Sequence, residues 1–172
     1  KDQPNTWYTA GFIGYKEFYN GNVKMQLGQT LDKKAWGDAV YESLKYWTKA
    51  YELAKIPTID KKGKEKFDTR TPKSIVPKVV EYFNSMPLII AGFDAYQAGD
   101  PSLAYDMFIA HCNIPESDMM KDNPSEMAKI VCDSNYYIYL YQSGQLAEAA
   151  ERYDEALASF ERMNTEHAKQ NA

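Results

Sequence analysis

Side chains able to do acid–base or nucleophilic chemistry are few in this sequence of 172 residues. Its two histidines, His111 and His167, carry the side chains whose ordinary pKa lies nearest neutrality. Cys112 follows His111, but neighbours on a helix point about 100° apart and do not face each other. The pair therefore indicates a packed helix end rather than a nucleophile with its base. His167 lies in a polar stretch, and we expect it to be solvated.

Metal and phosphate sites lack the spacing they need. The sequence has no His-x-x-x-His, no Cys-x-x-Cys and no EF-hand loop. Asp118, Asp122 and Glu126 lie near a predicted loop without the glycine of a calcium loop between them, so we expect solvated carboxylates. Gly11-Phe12-Ile13-Gly14 falls inside a predicted helix rather than at a strand-to-helix turn, which disfavours a phosphate cradle. The sequence therefore predicts no metal, no cofactor and no enzymatic activity.

Charge and hydropathy exclude two further classes of partner. The net charge is −4, and the basic residues cluster only in Lys61–Lys66, a mixed-charge segment that we interpret as a solvated loop tip. Nucleic-acid binding needs denser positive charge. The longest apolar runs, such as Leu88–Ala91, are far shorter than the roughly 18 residues of a membrane span. Cys112 and Cys132 could pair or remain reduced.

Apolar residues recur at helical spacing along most of the chain, which predicts an all-α fold. The periodicity predicts helices over residues 6–20, 36–55, 77–98, 101–112 and 124–142, with a final apolar stripe over 146–160. Two long connectors, 20–35 and 56–73, separate the first three. The second is too polar to bury a face, so we expect an exposed excursion over 58–70.

Turn-forming and capping residues agree with these limits. Asp100-Pro101 and Asn123-Pro124 each offer an N-cap side chain followed by proline at the first helical position, and the second has the glutamate of a capping box three residues on. Gly99 and Gly144 are predicted left-handed C-caps. Pro87 predicts a kink or break within the third helix.

Two stretches of the sequence share one spacing. In Gly92…Tyr96…Gly99-Asp100…Ala104…Phe108 and in Tyr137…Tyr141…Gly144-Gln145…Ala149…Tyr153, an alanine lies five residues after a turn residue and four before an aromatic. Trp7-x-x-Ala10-Gly11-x-x-x-Tyr15 matches the first half of this unit, and Trp47-x-x-Ala50 matches its end. At these residues the sequence resembles the tetratricopeptide repeat (TPR), a helix–turn–helix unit of 34 residues.

The resemblance implies a TPR-like α-α superhelix of about three helical hairpins with long inserted loops. It places the hairpins at about 4–55, 75–115 and 124–165 of a single domain, 1–172. The matched glycines and tyrosine are 45 and 81 residues apart instead of 34, which is typical of a divergent member with insertions. The chain is also similar to secreted or envelope-associated TPR proteins of Bacteroidetes, which implies a periplasmic or envelope location.

Solenoids usually end in a polar capping helix, whereas this chain runs soon after Phe160 into Asn164-Thr165-Glu166. We therefore expect a fragment of a longer repeat protein. The alternative is a homodimer that buries two such ends against each other.

The first helix of each hairpin lines the concave side of such a superhelix, which implies a groove for a protein or peptide. By position the groove comprises Tyr8, Phe12, Tyr15, Lys16, Ile89, Phe93, Tyr96, Gln97, Asn135, Ile138, Tyr141 and Gln142. Tyr8 and Phe12 stand where the family's carboxylate clamp needs a cation and an amide, so that clamp is not expected. We predict a non-enzymatic interaction scaffold, with Tyr15, Tyr96 and Tyr141 as anchors and with Phe93 and Ile138 as packing residues. A carbohydrate-binding module is the alternative.

Overall fold

The computed structural model describes residues 3–132 and 134–170, with backbone alone for residue 134 and residues 166–170. It is 75% helical, which confirms the predicted all-α class. The helices are α1 (Pro4–Gln26), α2 (Lys33–Ala54), α3 (Arg70–Ser85), α4 (Pro87–Gln97), α5 (Pro101–Asn113), α6 (Asp118–Lys121), α7 (Pro124–Met127), α8 (Ser134–Ala149) and α9 (Tyr153–Gln170). None of them, as far as the chain is described, has the length and apolar character to cross a membrane.

Consecutive helices pair along the chain: α1 packs against α2, α4 against α5, and α8 against α9. The pairs are joined side by side, because α4 also packs on α2 and α8 on α5. One large apolar cluster runs through α1, α2, α3 and the start of α8, and a smaller one lies among α4, α5, α8 and α9.

The three helical pairs turn in the same way. Residues Gly28, Gly99 and Glu151 each follow the first helix of a pair and each adopt a positive φ, of 65°, 87° and 59°. In each turn the next amide, that of residue 29, 100 or 152, donates to a carbonyl five residues back. This is the Schellman arrangement, which satisfies the last carbonyls of a helix.

A glycine lies seven residues before each of these left-handed residues. It is Gly21 in α1, Gly92 in α4 and Gly144 in α8, and a Cβ at any of them would overlap an aromatic ring of the following helix. The rings belong to Trp36, Phe108 and Phe160. Each glycine thus lets a large side chain lie directly on the backbone of its partner helix.

This geometry corrects the repeat register inferred from the sequence. Gly144 is not a C-cap, because α8 continues through it to Ala149 and the turn falls at Glu151. Within 134–170 the spacing found at Gly92–Phe108 recurs as Gly144–Phe160, seven residues later than predicted and 52 residues after the first. Gly21, not Gly11, is the equivalent glycine of the first pair; Gly11 instead faces Trp47.

The first pair is further fixed by hydrogen bonds from α2 to the backbone of α1. The indole nitrogens of Trp36 and Trp47 donate to the carbonyls of Phe18 and Tyr8, each at 3.2 Å. The hydroxyl of Ser43 donates to the carbonyl of Gly11 at 2.7 Å. Helical carbonyls accept a second bond here because the glycines on α1 allow the two axes to approach closely.

Helix α3 begins at Arg70, seven residues earlier than predicted, and contains Pro77. Asp68 starts it, since its carboxylate accepts the amides of Arg70 and Thr71 and the hydroxyl of Thr71. Burial is the largest single contribution to the pKa of Asp68 and acts to raise it. The hydrogen bonds together outweigh burial, so the pKa is lowered. The predicted break at Pro87 is confirmed: Met86 has φ 52°, and Pro87 opens α4 as its first residue.

Three other boundaries differ from prediction. Helix α1 extends to Gln26 and shortens the connector predicted over 20–35, because Gly21 packs against Trp36 instead of breaking the helix. The helix predicted over 124–142 is the short α7 and then α8, with residues 128–132 non-helical. Asp100 caps α5 as predicted, whereas the amide of Asn123 donates to the carbonyl of Met119 and the hydroxyl of Tyr51 and makes no cap.

The excursion predicted over 58–70 is exposed up to Phe67 and carries a minimal hairpin. Strands β1 (Thr58–Ile59) and β2 (Glu65–Lys66) pair antiparallel, with Thr58 opposite Lys66. Asp60 fixes the turn by accepting the amides of Lys62 and Lys64. The basic segment 61–66 is therefore the solvated tip of a loop, as predicted.

The glycine contacts predict the sign of two substitutions. Gly92→Ala and Gly144→Ala should each lower the free energy of unfolding by about 1–3 kcal/mol, because the new methyl overlaps a buried ring. In an unhindered helix the same change raises it by about 1 kcal/mol. Urea unfolding followed by circular dichroism measures the effect. Adding Phe160→Leu to Gly144→Ala should recover part of the loss, and a stabilised Gly144→Ala would contradict the contact.

The left-handed conformation of Glu151 predicts a stabilising change. Glu151→Gly should raise the free energy of unfolding by about 1 kcal/mol, because glycine adopts this conformation without the steric penalty of a Cβ. Thermal and urea unfolding of the purified variant measure it. The matched control is Glu148→Gly, within α8, which should lose about as much as the first change gains. Equal losses for both variants would contradict the assignment of the turn.

Candidate functional site

Helices α4 and α8 run parallel, side by side, with α5 beneath them. Their starts meet where the hydroxyl of Tyr139 donates to the sulfur of Met86 at 3.4 Å. Their ends meet where Gly92, Phe93 and Tyr96 face residues 142–146. We call the line between them the α4–α8 seam; Tyr139 crosses it and divides it into two pockets.

The pocket at the far end, the Phe93 pocket, has a volume of about 220 Å³. Its walls and floor are Gly92, Phe93, Tyr96, Phe108, Gln142, Gln145 and Leu146. Phe93 packs edge-on against Phe108, with ring centroids 5.0 Å apart. Gln142 Oε1 is buried and accepts no hydrogen bond from any described residue. The pocket thus combines aromatic walls with one unmet acceptor.

Beside this pocket, four large apolar side chains are open to solvent. The exposed fractions are 42% for Phe93, 52% for Tyr96, 49% for Ile138 and 45% for Tyr141. Tyr141 also packs on Phe160 with centroids 5.6 Å apart, and its hydroxyl accepts from Gln145. Phe93 and Ile138, which we expected to be packing residues, are therefore as accessible as the two tyrosines.

The remaining predicted residues of these two helices fall at the margins of the seam. Gln97 is exposed at the end of α4, and Asn135 is exposed at the start of α8, where it lines the second pocket. Ile89 is buried in the smaller apolar cluster. The seam thus brings together Phe93, Tyr96 and Gln142 and leaves Ile89 in the core.

The predicted residues of α1 face α3 instead of an open groove. Tyr8, Phe12 and Tyr15 form a ladder of rings 5.9–6.0 Å apart and are half-buried. The Tyr15 hydroxyl donates to Glu81 of α3 at 2.8 Å; burial and this bond raise its pKa to about 12. Lys16 is exposed, with its ammonium 5.4 Å from the centroid of the Phe12 ring.

The second pocket of the seam, the His111 pocket, was not anticipated from the sequence. It has a volume of about 240 Å³ and is lined by residues of α3, α5 and α8, by Met86 between α3 and α4, and by Val131 before α8. His111 is 2% exposed on its floor, and its ring stacks on Phe83 with centroids 4.4 Å apart. Burial raises the pKa of the adjacent Cys112 thiol to about 12, so Cys112 is protonated at neutral pH and supplies no nucleophile. The side chain of His167 lies outside the described residues.

A larger cleft lies on the other side of α5, and sequence reasoning missed it as well. Its volume is about 620 Å³, and it is lined mainly by apolar residues of α2 and α5 and of the segment that follows α5. Its acidic residues Asp106 and Glu116 already pair with Arg152 and Arg162. The lining comes from α2, α3, α5 and the segment after α5, and no local signal in the sequence indicates that these parts meet.

The carboxylates near α6 and α7 are engaged in ion pairs. Lys55 lies 2.7 Å from Asp122 and 3.6 Å from Asp118, and the hydroxyl of Tyr51 donates to Asp122 at 2.9 Å. These hydrogen bonds, that of Lys55 first, lower the pKa of Asp122. Glu126 pairs with Lys129. Over the described ranges, no three His, Cys, Asp or Glu side chains gather as metal ligands would.

Comparisons with protein-family models, with curated proteins and with solved structures gave no match to this chain.

The burial of His111 predicts a pH dependence of stability. Burial lowers its pKa to about 4, against 6.5 for an ordinary histidine. Between these values the unfolded chain binds a proton that the folded chain does not, so the free energy of unfolding decreases as the pH is lowered through this window, by about 3 kcal/mol at its lower end. Urea unfolding at several pH values measures the slope. His111→Phe should remove this part of the slope, because the titrating imidazole is gone while the variant keeps the other titrating groups of the wild type. Equal slopes in the two proteins would contradict the prediction.

Proposed function

We propose that this chain is a non-enzymatic protein-interaction scaffold of TPR-like hairpins, whose α4–α8 seam binds an apolar segment of a partner protein. The observation that carries the proposal is the exposure of Phe93, Tyr96, Ile138 and Tyr141 beside a pocket with an unmet acceptor. Aromatic side chains that flank a cavity are typical anchors of protein interfaces.

The repeated geometry of the hairpins supports the solenoid part of the proposal. The turns at Gly99 and Glu151 share four backbone hydrogen bonds at equivalent positions, from the fourth-last residue of one helix to the first turn of the next. Helices α4 and α8 occupy equivalent places, run parallel and rest on the same helix, α5. Such stacking leaves the first helices of successive hairpins along one side, where a partner can meet several of them at once.

The partner is expected to be a polypeptide with an aromatic or aliphatic anchor. Gln142 Oε1 can accept the hydrogen bond of a peptide amide next to that anchor, which a purely apolar ligand would leave unmet. Helix α3 illustrates such an occupant within the chain, since its Tyr82 enters between α1 and α2 and stacks on Trp47 with centroids 5.5 Å apart. No charged residue lines the Phe93 pocket, so binding should depend little on ionic strength.

Selection of peptides from a random display library on the immobilised full chain tests the proposal. We expect enriched sequences with aromatic residues, and we expect the pair Tyr96→Ala and Tyr141→Ala to weaken the binding of the selected peptide about tenfold or more while helicity is unchanged. Tyr153→Ala is the matched control, because Tyr153 is 65% exposed on α9 and lies outside the seam.

The outcomes separate the proposal from its alternative. Unchanged peptide affinity in the double variant, or affinity that falls steeply with added salt, would overturn a seam that binds through apolar anchors. Saturable binding of oligosaccharides on a glycan array, lost in the same double variant, would instead favour the carbohydrate-binding module.

A further inference from the structure

The His111 pocket has an open rim and a buried floor. Its rim is formed by Asn84, Met86, Val131 and Asn135, all exposed. Its floor is formed by Phe83, His111 and Tyr136, all buried. At about 240 Å³ it is smaller than the roughly 300–1,000 Å³ of sites for drug-sized ligands, which limits an occupant to about one ring.

The floor contains a polar atom that the chain does not satisfy. His111 Nδ1 is buried and makes no hydrogen bond with any residue in the described part of the chain. The ring is held in place by stacking on Phe83 and by the edge of Tyr139, with centroids 4.4 Å and 5.8 Å away. Buried polar atoms are nearly always paired, so this one points to a hydrogen-bonding group supplied from outside.

Two other polar groups of the pocket, the Tyr136 hydroxyl and the Asn84 amide nitrogen, already have hydrogen bonds. The Tyr136 hydroxyl donates to the carbonyl of Cys112 at 3.0 Å and accepts from Arg162 at 2.9 Å. The amide nitrogen of Asn84 donates to the carbonyl of Lys129 at 3.1 Å. These groups are therefore not free to bind an occupant, which disfavours a sugar, because its several hydroxyls would need several partners.

The electrostatics of the pocket favour a neutral occupant. None of its lining residues is charged, and the imidazole is neutral at pH 7 because burial lowers its pKa to about 4. A carboxylate or an ammonium group would lose its hydration there without gaining a counter-ion. The rings of Phe83, Tyr136 and Tyr139 and the thioether of Met86 instead offer contacts for an aromatic ring.

We propose that the His111 pocket binds a neutral phenol-class group, a single aromatic ring whose hydroxyl bonds to the His111 imidazole. A hydroxyl both donates and accepts, so it can bond to the imidazole in either neutral tautomer. The group can belong to a free phenol or to a tyrosine side chain of a partner. The second source rests on the proposed function, because such a tyrosine would enter from a segment lying along the seam.

Titration of the full chain with p-cresol and with toluene, followed by the NMR signals of the His111 ring, tests the proposal. p-Cresol should bind saturably with a Kd of about 1 mM, as expected for so small a ligand, and should shift the His111 signals. Toluene has the same ring without the hydroxyl and should bind about tenfold more weakly. Equal affinities for the two compounds, or no saturation by p-cresol up to about 10 mM, would overturn the proposal.

Two variants separate the hydrogen bond from the cavity. His111→Phe keeps a ring on Phe83 but removes Nδ1, so it should abolish the preference for p-cresol over toluene. Val131→Trp adds bulk at the rim, at a residue that is 68% exposed, and should weaken both compounds without affecting the fold. If Val131→Trp still binds p-cresol as tightly, and if His111→Phe still prefers p-cresol to toluene, the compounds bind elsewhere. Those results would overturn the proposal.

Further ligands distinguish the two sources. If N-acetyltyrosinamide and a tyrosine-containing peptide compete with p-cresol, a protein side chain fits the pocket; if p-cresol alone binds, the pocket takes free phenols. Each result supports the phenol class. The variant with Tyr96→Ala and Tyr141→Ala should keep full p-cresol binding, because both residues lie outside this pocket. Failure of the seam as a peptide site and failure of the phenol pocket are thus measured independently.

Discussion

The close approach of two helices at a glycine is the contact on which this fold depends. At Gly21, Gly92 and Gly144 the missing Cβ leaves room for Trp36, Phe108 and Phe160 to lie on the backbone of the partner helix. Because each glycine is seven residues before the left-handed residue of the turn, one spacing fixes both the turn and the contact. The ring then lies against the backbone of the partner helix, and the three pairs share this contact and this turn.

Local signals predicted the helices but not the register of the repeat. Amphipathic periodicity and the cap at Asp100 are properties of a few neighbouring residues, and both were found where expected. The last turn was misplaced because a glycine is the usual left-handed residue, whereas here Glu151 takes that conformation and Gly144 serves the ring of Phe160. Glycine can serve as the left-handed residue of a turn or as the position against which an aromatic ring packs. Which role it has depends on the partner helix, which comes later in the chain.

Long-range contacts also explain which site residues were predicted. Tyr96 and Tyr141 were expected on an open face from their positions in the repeat resemblance, and both are exposed; Phe93 and Ile138 were expected to pack and are exposed as well. Tyr8, Phe12 and Tyr15 have the same pattern, but α3 lies against them, and its docking depends on Tyr82 reaching Phe18 and Trp47. The first residues of α3 were assigned to the polar connector 56–73, and the helix was predicted to begin only at Pro77. The His111 pocket was missed because its lining comes from four separate segments and includes one polar atom whose lack of a partner is visible only in three dimensions.

The α4–α8 seam differs from the face of α1 in the contacts that hold the neighbouring helices together. α3 joins α1 to α2 through Tyr15, Ser43 and Trp47, whereas α4 and α8 meet chiefly through α5 beneath them and the bond from Tyr139 to Met86. Both pockets take residues from α5 and from α8; the Phe93 pocket adds a wall from α4, and the His111 pocket adds the end of α3 and Met86. An occupant of either pocket would therefore contact two hairpins at once. It would stabilise the contact between the hairpins more than it stabilises either hairpin by itself. Binding at the seam then favours one relative placement of the last two hairpins, and that placement favours binding by the same free energy.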